Sequence, residues 1–173
     1  MVERIDPVSG RPEWATLVDF LDWYRATLEL KSAGLTDEQA ATASCPPSIL
    51  TITGLVRHMA EVERNWFRRK LAGELPAAGA GPIYYSDEHP DGDLEVDSST
   101  SLADSLAVWR AEIARADAVL AGYGSLDQLG PVATTTGEYV SARWVLVHMI
   151  EEYARHCGHA DLLRERIDGA VGD

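Results

Sequence analysis

LADSLAVWRAEIARADAVL, residues 102–120, sets Leu102, Leu106, Trp109, Ile113, Ala116 and Leu120 at alternating steps of four and three. On a helix of about 3.6 residues per turn these steps hold all six on one stripe, the seam along which bundle helices pack. The same rhythm places Leu17, Leu21, Tyr24 and Leu28 on a helix over 13–32, and Leu55, Met59, Val62 and Trp66 on one over 50–72. A fourth run, 142–168, follows Ser141, an N-cap residue type, and stops at Gly169, the residue type that ends helices in left-handed geometry. No stretch alternates convincingly with the period of a strand. The expected fold is all-α, a four-helix bundle, with Trp66, Trp109 and Trp144 in its core.

The joints refine that fold. Thr36-Asp37-Glu38-Gln39 has the capping-box pattern and predicts a short extra turn. Pro46-Pro47-Ser48 breaks the chain before the second helix. Between the second and third helices lies a polar stretch, Gly73 to Thr100, rich in Gly, Pro and Asp. A connection this long can return the chain along the bundle, so that two consecutive helices run parallel. It is expected to be non-helical yet ordered, with Tyr84 and Tyr85 packed on the helices.

Length and charge bound the function. The 173 residues fit one domain, 1–173, able to bury a core unaided. Fifteen basic against 28 acidic residues give a net charge of −13, which argues against nucleic acid and against anionic membrane surfaces. The N-terminus has no apolar signal region, and no run is long enough to span a membrane. Two cysteines, Cys45 and Cys157, make no disulfide framework. The expected address is the cytoplasm, with both thiols reduced.

Four of the five histidines lie on two helices: His58 on the second, and His148, His156 and His159 on the fourth. At about 100° per residue, with His148 at zero, Val145, Leu163, Met149, Ile167 and Ala160 define an apolar arc from about 60° to 120°. His156 falls at about 80°, inside it, and Glu152 at about 40°, on its edge. A glutamate facing apolar surface needs a cation or donors. Glu152 and His156, four residues apart, meet on one face, and His58 stands on the shoulder of its own stripe, able to look into the bundle. Converging side chains from facing helices are how bundles hold metals. Spacing leaves other readings open: Glu152 could pair with Arg57 or Arg143, and His148 could replace His156 as its partner four residues away.

The runs LTITGLVRHMAEVERNWFRR (50–69) and RWVLVHMIEEYARHCGHADLLRERIDG (143–169) resemble the DinB-like superfamily. With PIYYSDEHPDGD (82–93) and FLDWYRATL (20–28), they are similar to its mini-circle protein branch, related to the metal-binding domain of mycothiol-dependent maleylpyruvate isomerase. The resemblance implies a metal held by a His on the second helix and two residues four apart on the fourth, which match His58, Glu152 and His156. Many members carry His at the first of those paired positions. Here Glu152 stands there, as in the His, Glu, His set of the isomerase domain. Two imidazoles and one carboxylate leave positions open for water or substrate. They suit Zn²⁺, with Ni²⁺, Fe²⁺ and Mn²⁺ as compatible ions. His148 and His159 become supporting or substrate-facing candidates.

The function implied is a metal-dependent S-transferase or isomerase using a small thiol of the mycothiol type as cosubstrate. The isomerase relative has an additional C-terminal domain contributing to its site. This chain ends at Asp173, so isomerase activity is not the first expectation. A non-catalytic metal-binding or ligand-binding stress protein and a metal-water hydrolase need the same open site and remain alternatives. A homodimer is compatible with such a bundle. Other candidates fall away. Asp87 to Ser98 lacks the bidentate Glu of a calcium loop and is expected to be solvated. Cys157 points about 100° away from His156 and is expected to be structural.

Overall fold

The computed structural model describes residues 3–172, and four of its five α-helices begin at a Ser or Thr cap, α1 following Pro12 instead. The helices are α1 (Glu13–Ser32), α2 (Asp37–Ala40), α3 (Ile52–Glu63), α4 (Leu102–Ala121) and α5 (Ala142–Asp168). The side chains of Thr51, Ser101 and Ser141 accept from the backbone N–H of Gly54, Asp104 and Trp144, and Thr36 with Gln39 forms the full capping box. Gly169 ends α5 at φ 79°, in left-handed geometry that other residues resist. Each cap satisfies an N–H or C=O that the helix ladder leaves open.

Helix directions follow from contacts near their ends. Arg143 at the start of α5 pairs with Glu13 at the start of α1. Lys31 pairs with Asp161 near the other ends, so α1 and α5 run parallel. The Leu102 N–H donates to Asp37 at one end of the bundle, and the Tyr123 hydroxyl to the Leu71 carbonyl at the other, so α3 and α4 also run parallel. The long crossover is therefore the fold's topological signature.

The second helix departs from expectation past Glu63. It continues to Leu71 as a π-helix, with the Ala72 N–H reaching the Phe67 carbonyl at 2.8 Å. Rotation per residue is smaller in this geometry, so a 100° wheel misplaces Trp66. The fourth helix differs as well. Its buried residues include Leu146, Tyr153 and Cys157, so the core arc extends from about 60° to about 180°. His156, at about 80°, therefore sits inside that arc near one edge, and it is partly buried. Trp109 is fully buried, but Trp144 is 46% exposed, so it is not a core residue. Its position one turn before His148 carries it outside the buried arc.

The core contains a charged cluster that the apolar pattern did not indicate. Arg25 of α1 grips Glu63 of α3 through two 2.8 Å bonds. The Tyr153 hydroxyl donates to Glu63 at 2.7 Å, and Trp109 Nε1 donates to that hydroxyl at 2.8 Å. Burial would lower the Arg25 pKa, but the carboxylate outweighs it and holds it well above the ordinary value. Burial, reinforced by Glu63, pushes the Tyr153 phenol up. Arg25 also donates to Asp22 and Asp117 at 3.1 and 2.9 Å, whereas Glu63 has Arg25 as its cation, so removing Arg25 would leave a buried carboxylate without one.

The crossover is ordered and mostly non-helical, with one 3₁₀ turn at Pro76–Ala78. The N–H groups of Ile83 and Tyr84 both donate to Glu61 of α3, at 2.6 and 2.7 Å. Arg57 lies over the Tyr84 ring at 4.2 Å. A Cβ at Gly92 would run into the Tyr84 carbonyl, and one at Gly54 would meet Leu94 Cα at 3.4 Å. Two glycines thus let the crossover close on itself and seat against α3. Among the described residues no helix is long and apolar enough to cross a membrane.

Candidate metal centre and its clefts

Trp144, His148, Glu152 and His156 form a row of four-residue steps along α5, each side chain one turn above the last. His148 Nε2 lies 3.3 Å from one Glu152 oxygen, and His156 Nε2 lies 3.5 Å from the other. From α3, His58 faces His156 with ring centroids 4.8 Å apart. His58, Glu152 and His156 each offer a ligand atom, and these atoms lie within 4.8 Å of one another. Arg57 does not satisfy Glu152: it donates to the Gly92 and Glu95 carbonyls. Arg143 pairs instead with Glu13 and Asp127. The ionic partners of Glu152 are imidazoles.

The electrostatics keep Glu152 anionic. Its carboxyl is held below the ordinary range by the His156 hydrogen bond, against the opposing effect of burial, with His148 and His58 adding to the pull. A partly buried carboxylate shared by two imidazoles fits a divalent cation. A second grouping, His148, Glu151 and Glu152, shares that carboxylate, but its Glu151 is exposed. The buried-side set is the better enclosed.

One residue of the centre was not legible in the sequence. Asp93, only 7% exposed, places Oδ2 at 2.7 Å from His58 Nδ1. The acidic crossover expected to be solvated thus sends one carboxylate inward, beside Gly92. An Nδ1–H donated to Asp93 leaves the Nε2 lone pair of His58 free to ligate. Position, not spacing, distinguishes Asp93 from Asp87 and Asp91, so no sequence pattern could have singled it out. His159, the other predicted neighbour, brings Nδ1 to 3.3 Å from His156 Nδ1. Burial, with His156 and Arg155 contributing, lowers its pKa.

Two clefts lie nearby, one reaching the centre at His58 and the other extending only as far as Trp144. The first, of about 310 Å³, mixes Glu61, Asn65, Asp91 and Asp93 with Val62, Tyr85 and Leu94. Trp66, on the π-helical stretch, closes its far side. The other, of about 540 Å³, lies beyond Trp144 against Leu129, Tyr139 and Val140. Cys157 reaches neither. It is buried on the opposite side of α5, with its thiol pushed up to about 12 by burial and Asp161.

Comparison with known proteins bears on the family and the fold. A family model described as mycothiol-S-transferase matches residues 16–169. The crystal structure of the mycothiol-dependent maleylpyruvate isomerase has a similar fold, with TM-score 0.56 and 16% identity over 90% of this chain and 62% of that one. A point mutant of the same isomerase gives TM-score 0.54 at the same identity and coverage. This chain spans less than two thirds of the isomerase chain, and at that identity the likeness concerns the fold. No curated protein matches the sequence. The expected kinship with the DinB-like superfamily holds, and the chain belongs to the mycothiol S-transferase family.

Proposed function

We propose that this protein is a divalent-metal-dependent S-transferase that joins a mycothiol-type thiol to an electrophile. The observation that carries the reading is the meeting of His58, Glu152 and His156, with His58 also lining a cleft of about 310 Å³. Family membership supports the thiol. The donor set of two imidazoles and one carboxylate suits Zn²⁺, with Ni²⁺, Fe²⁺ and Mn²⁺ as chemical alternatives. A bound ion would supply positive charge that favours thiolate over thiol near neutral pH.

The chain's own residues do the rest. Asp93 accepts the Nδ1–H of His58 and orients its Nε2 inward. His156 Nδ1 lies 3.3 Å from His159 Nδ1, so with Nε2 used for ligation its Nδ1–H would donate to His159. Glu61 and Gly92 fix the crossover that walls the cleft. In the transfer, the thiol loses its proton to solvent and a new S–C bond forms. The bond from that carbon to its leaving group breaks, and the leaving group departs with the electron pair. The nucleophile comes from the cosubstrate, because Cys157 is buried and protonated. A reduced cytoplasm suits this chemistry, and Cys45 and Cys157 are both free thiols.

The test is to purify the protein, identify the bound metal, and follow an electrophile with and without mycothiol. Metal-dependent turnover only with the thiol supports the reading. Bound metal with no turnover indicates a sequestering protein, and thiol-independent hydrolysis indicates an activated water.

A further inference from the structure

The row along α5 continues past the candidate ligands into aromatic surface. Trp144 stacks on His148 with ring centroids 4.9 Å apart and planes inclined by 19°. Trp66 meets both, at 4.9 Å from Trp144 and 4.7 Å from His148. Three aromatic rings from two helices therefore form one ledge, and one of them, His148, touches Glu152 directly.

A tryptophan left 46% exposed beside a candidate centre is unusual in a folded chain, because so large a ring gains from burial. Leu129 and Tyr139, both 57% exposed, extend the apolar surface into the adjoining cleft of about 540 Å³. Trp66 links the two clefts: it lines the one that reaches His58 and packs on Trp144, which lines the other. The centre thus stands between a polar wall bearing Glu61, Asn65 and Asp91 and an aromatic shelf.

Two cosubstrates must approach one centre from different sides for transfer between them. The polar wall suits the hydroxyl-bearing or amide-bearing partner. We propose that Trp66, Trp144 and His148 form the binding ledge of the electrophile, and that this electrophile carries a flat aromatic or conjugated group. The chemistry of the assignment rests on the S-transferase reading above; the binding does not. Offset stacking on the exposed Trp144 face holds such a group, and the cleft against Leu129 and Tyr139 takes its far end.

The test uses binding and turnover separately. Dinitrophenyl-glycine, which is not an electrophile, should quench the intrinsic tryptophan fluorescence saturably in the zinc-loaded protein. Trp144→Ala should weaken that binding by about 10-fold, within the range of aromatic contacts, while metal content and thermal midpoint show that the variant is folded. In turnover with mycothiol, the ratio of kcat/KM for 1-chloro-2,4-dinitrobenzene over iodoacetamide should fall about 10-fold in Trp144→Ala. A conservative Trp144→Phe should restore most of it. No saturable quenching in the wild type, or equal binding in Trp144→Ala, would overturn the ledge. So would a variant that changes only sedimentation from dimer to monomer, since the shelf would then face a second copy. Probe binding that depends on Trp144, with no thiol turnover toward any electrophile, would sustain the ledge and overturn the transferase reading instead.

Discussion

Replacing Asp93 by Asn removes a charge and little else: the side chain keeps its shape, and its amide oxygen can still accept from His58 Nδ1. The contact is 2.7 Å, with the Asp93 side chain 10% and the His58 side chain 29% exposed, so water screens it only in part. Carboxylates that orient a ligating imidazole raise its basicity, and losing one costs about 10-fold to 100-fold in metal affinity. Asp93→Asn should fall at the lower end, about 10-fold or about 1.4 kcal/mol. Asp93→Ala, which also frees the ring to rotate, should approach the upper end. The assay is zinc competition against a chelator of known affinity at pH 7.5, with circular dichroism to show that each variant stays helical. Zinc affinity unchanged within about twofold in both variants would refute the orienting role.

Three further outcomes follow from the same contacts. Glu63→Gln takes from Arg25 its one fully buried carboxylate and leaves it the more exposed Asp22 and Asp117, so urea unfolding should show a loss of about 1.5–3 kcal/mol; a loss below about 0.5 kcal/mol would mean that the buried pair does not stabilise the fold. Thiol labelling of the native protein at pH 7.5 should modify at most Cys45, because the Cys157 thiol is pushed up to about 12 and the side chain is 4% exposed; rapid modification of Cys157 before unfolding would contradict this. Metal release should accompany falling pH, since ligating imidazoles must be neutral, with about two protons taken up and a midpoint below about 6.5, the free-imidazole value. Glu152, held below the ordinary carboxylate range by His156, stays anionic through that window, and its contribution is lost only as pH falls through its lowered pKa.

Much of the bundle was legible because helices announce themselves by period and cap. The seam from Leu102 to Leu120, the caps at Thr36 and Ser141 and the stop at Gly169 are local features, and each has a local cause. Spacing and facing angle made an approach of His58 to Glu152 and His156 possible but left Arg57, Arg143 and His148 open as partners, and the resemblance to the DinB-like superfamily singled out that set. What escaped depends on distant chain segments. Asp93 turns inward because Gly92 lets the crossover pass close to Tyr84. Glu63 and Arg25 are buried because each is the other's counter-ion, and either alone would be read as a solvated helix residue. Trp66 and Trp144 were expected in the core by their hydrophobicity. The π-helical stretch alters the first one's direction, and the second lies outside the arc that α5 buries.

The most direct test of the centre is zinc-binding calorimetry on the wild type beside His58→Ala, Glu152→Ala, His156→Ala and His148→Ala. One equivalent should bind the wild type, near-complete loss should follow each of the first three changes, and His148→Ala should retain the ion. The competing set of His148, Glu151 and Glu152 makes the opposite forecast for His148. Loss of zinc in His148→Ala, with full binding kept in His58→Ala and His156→Ala, would contradict a centre built from His58, Glu152 and His156.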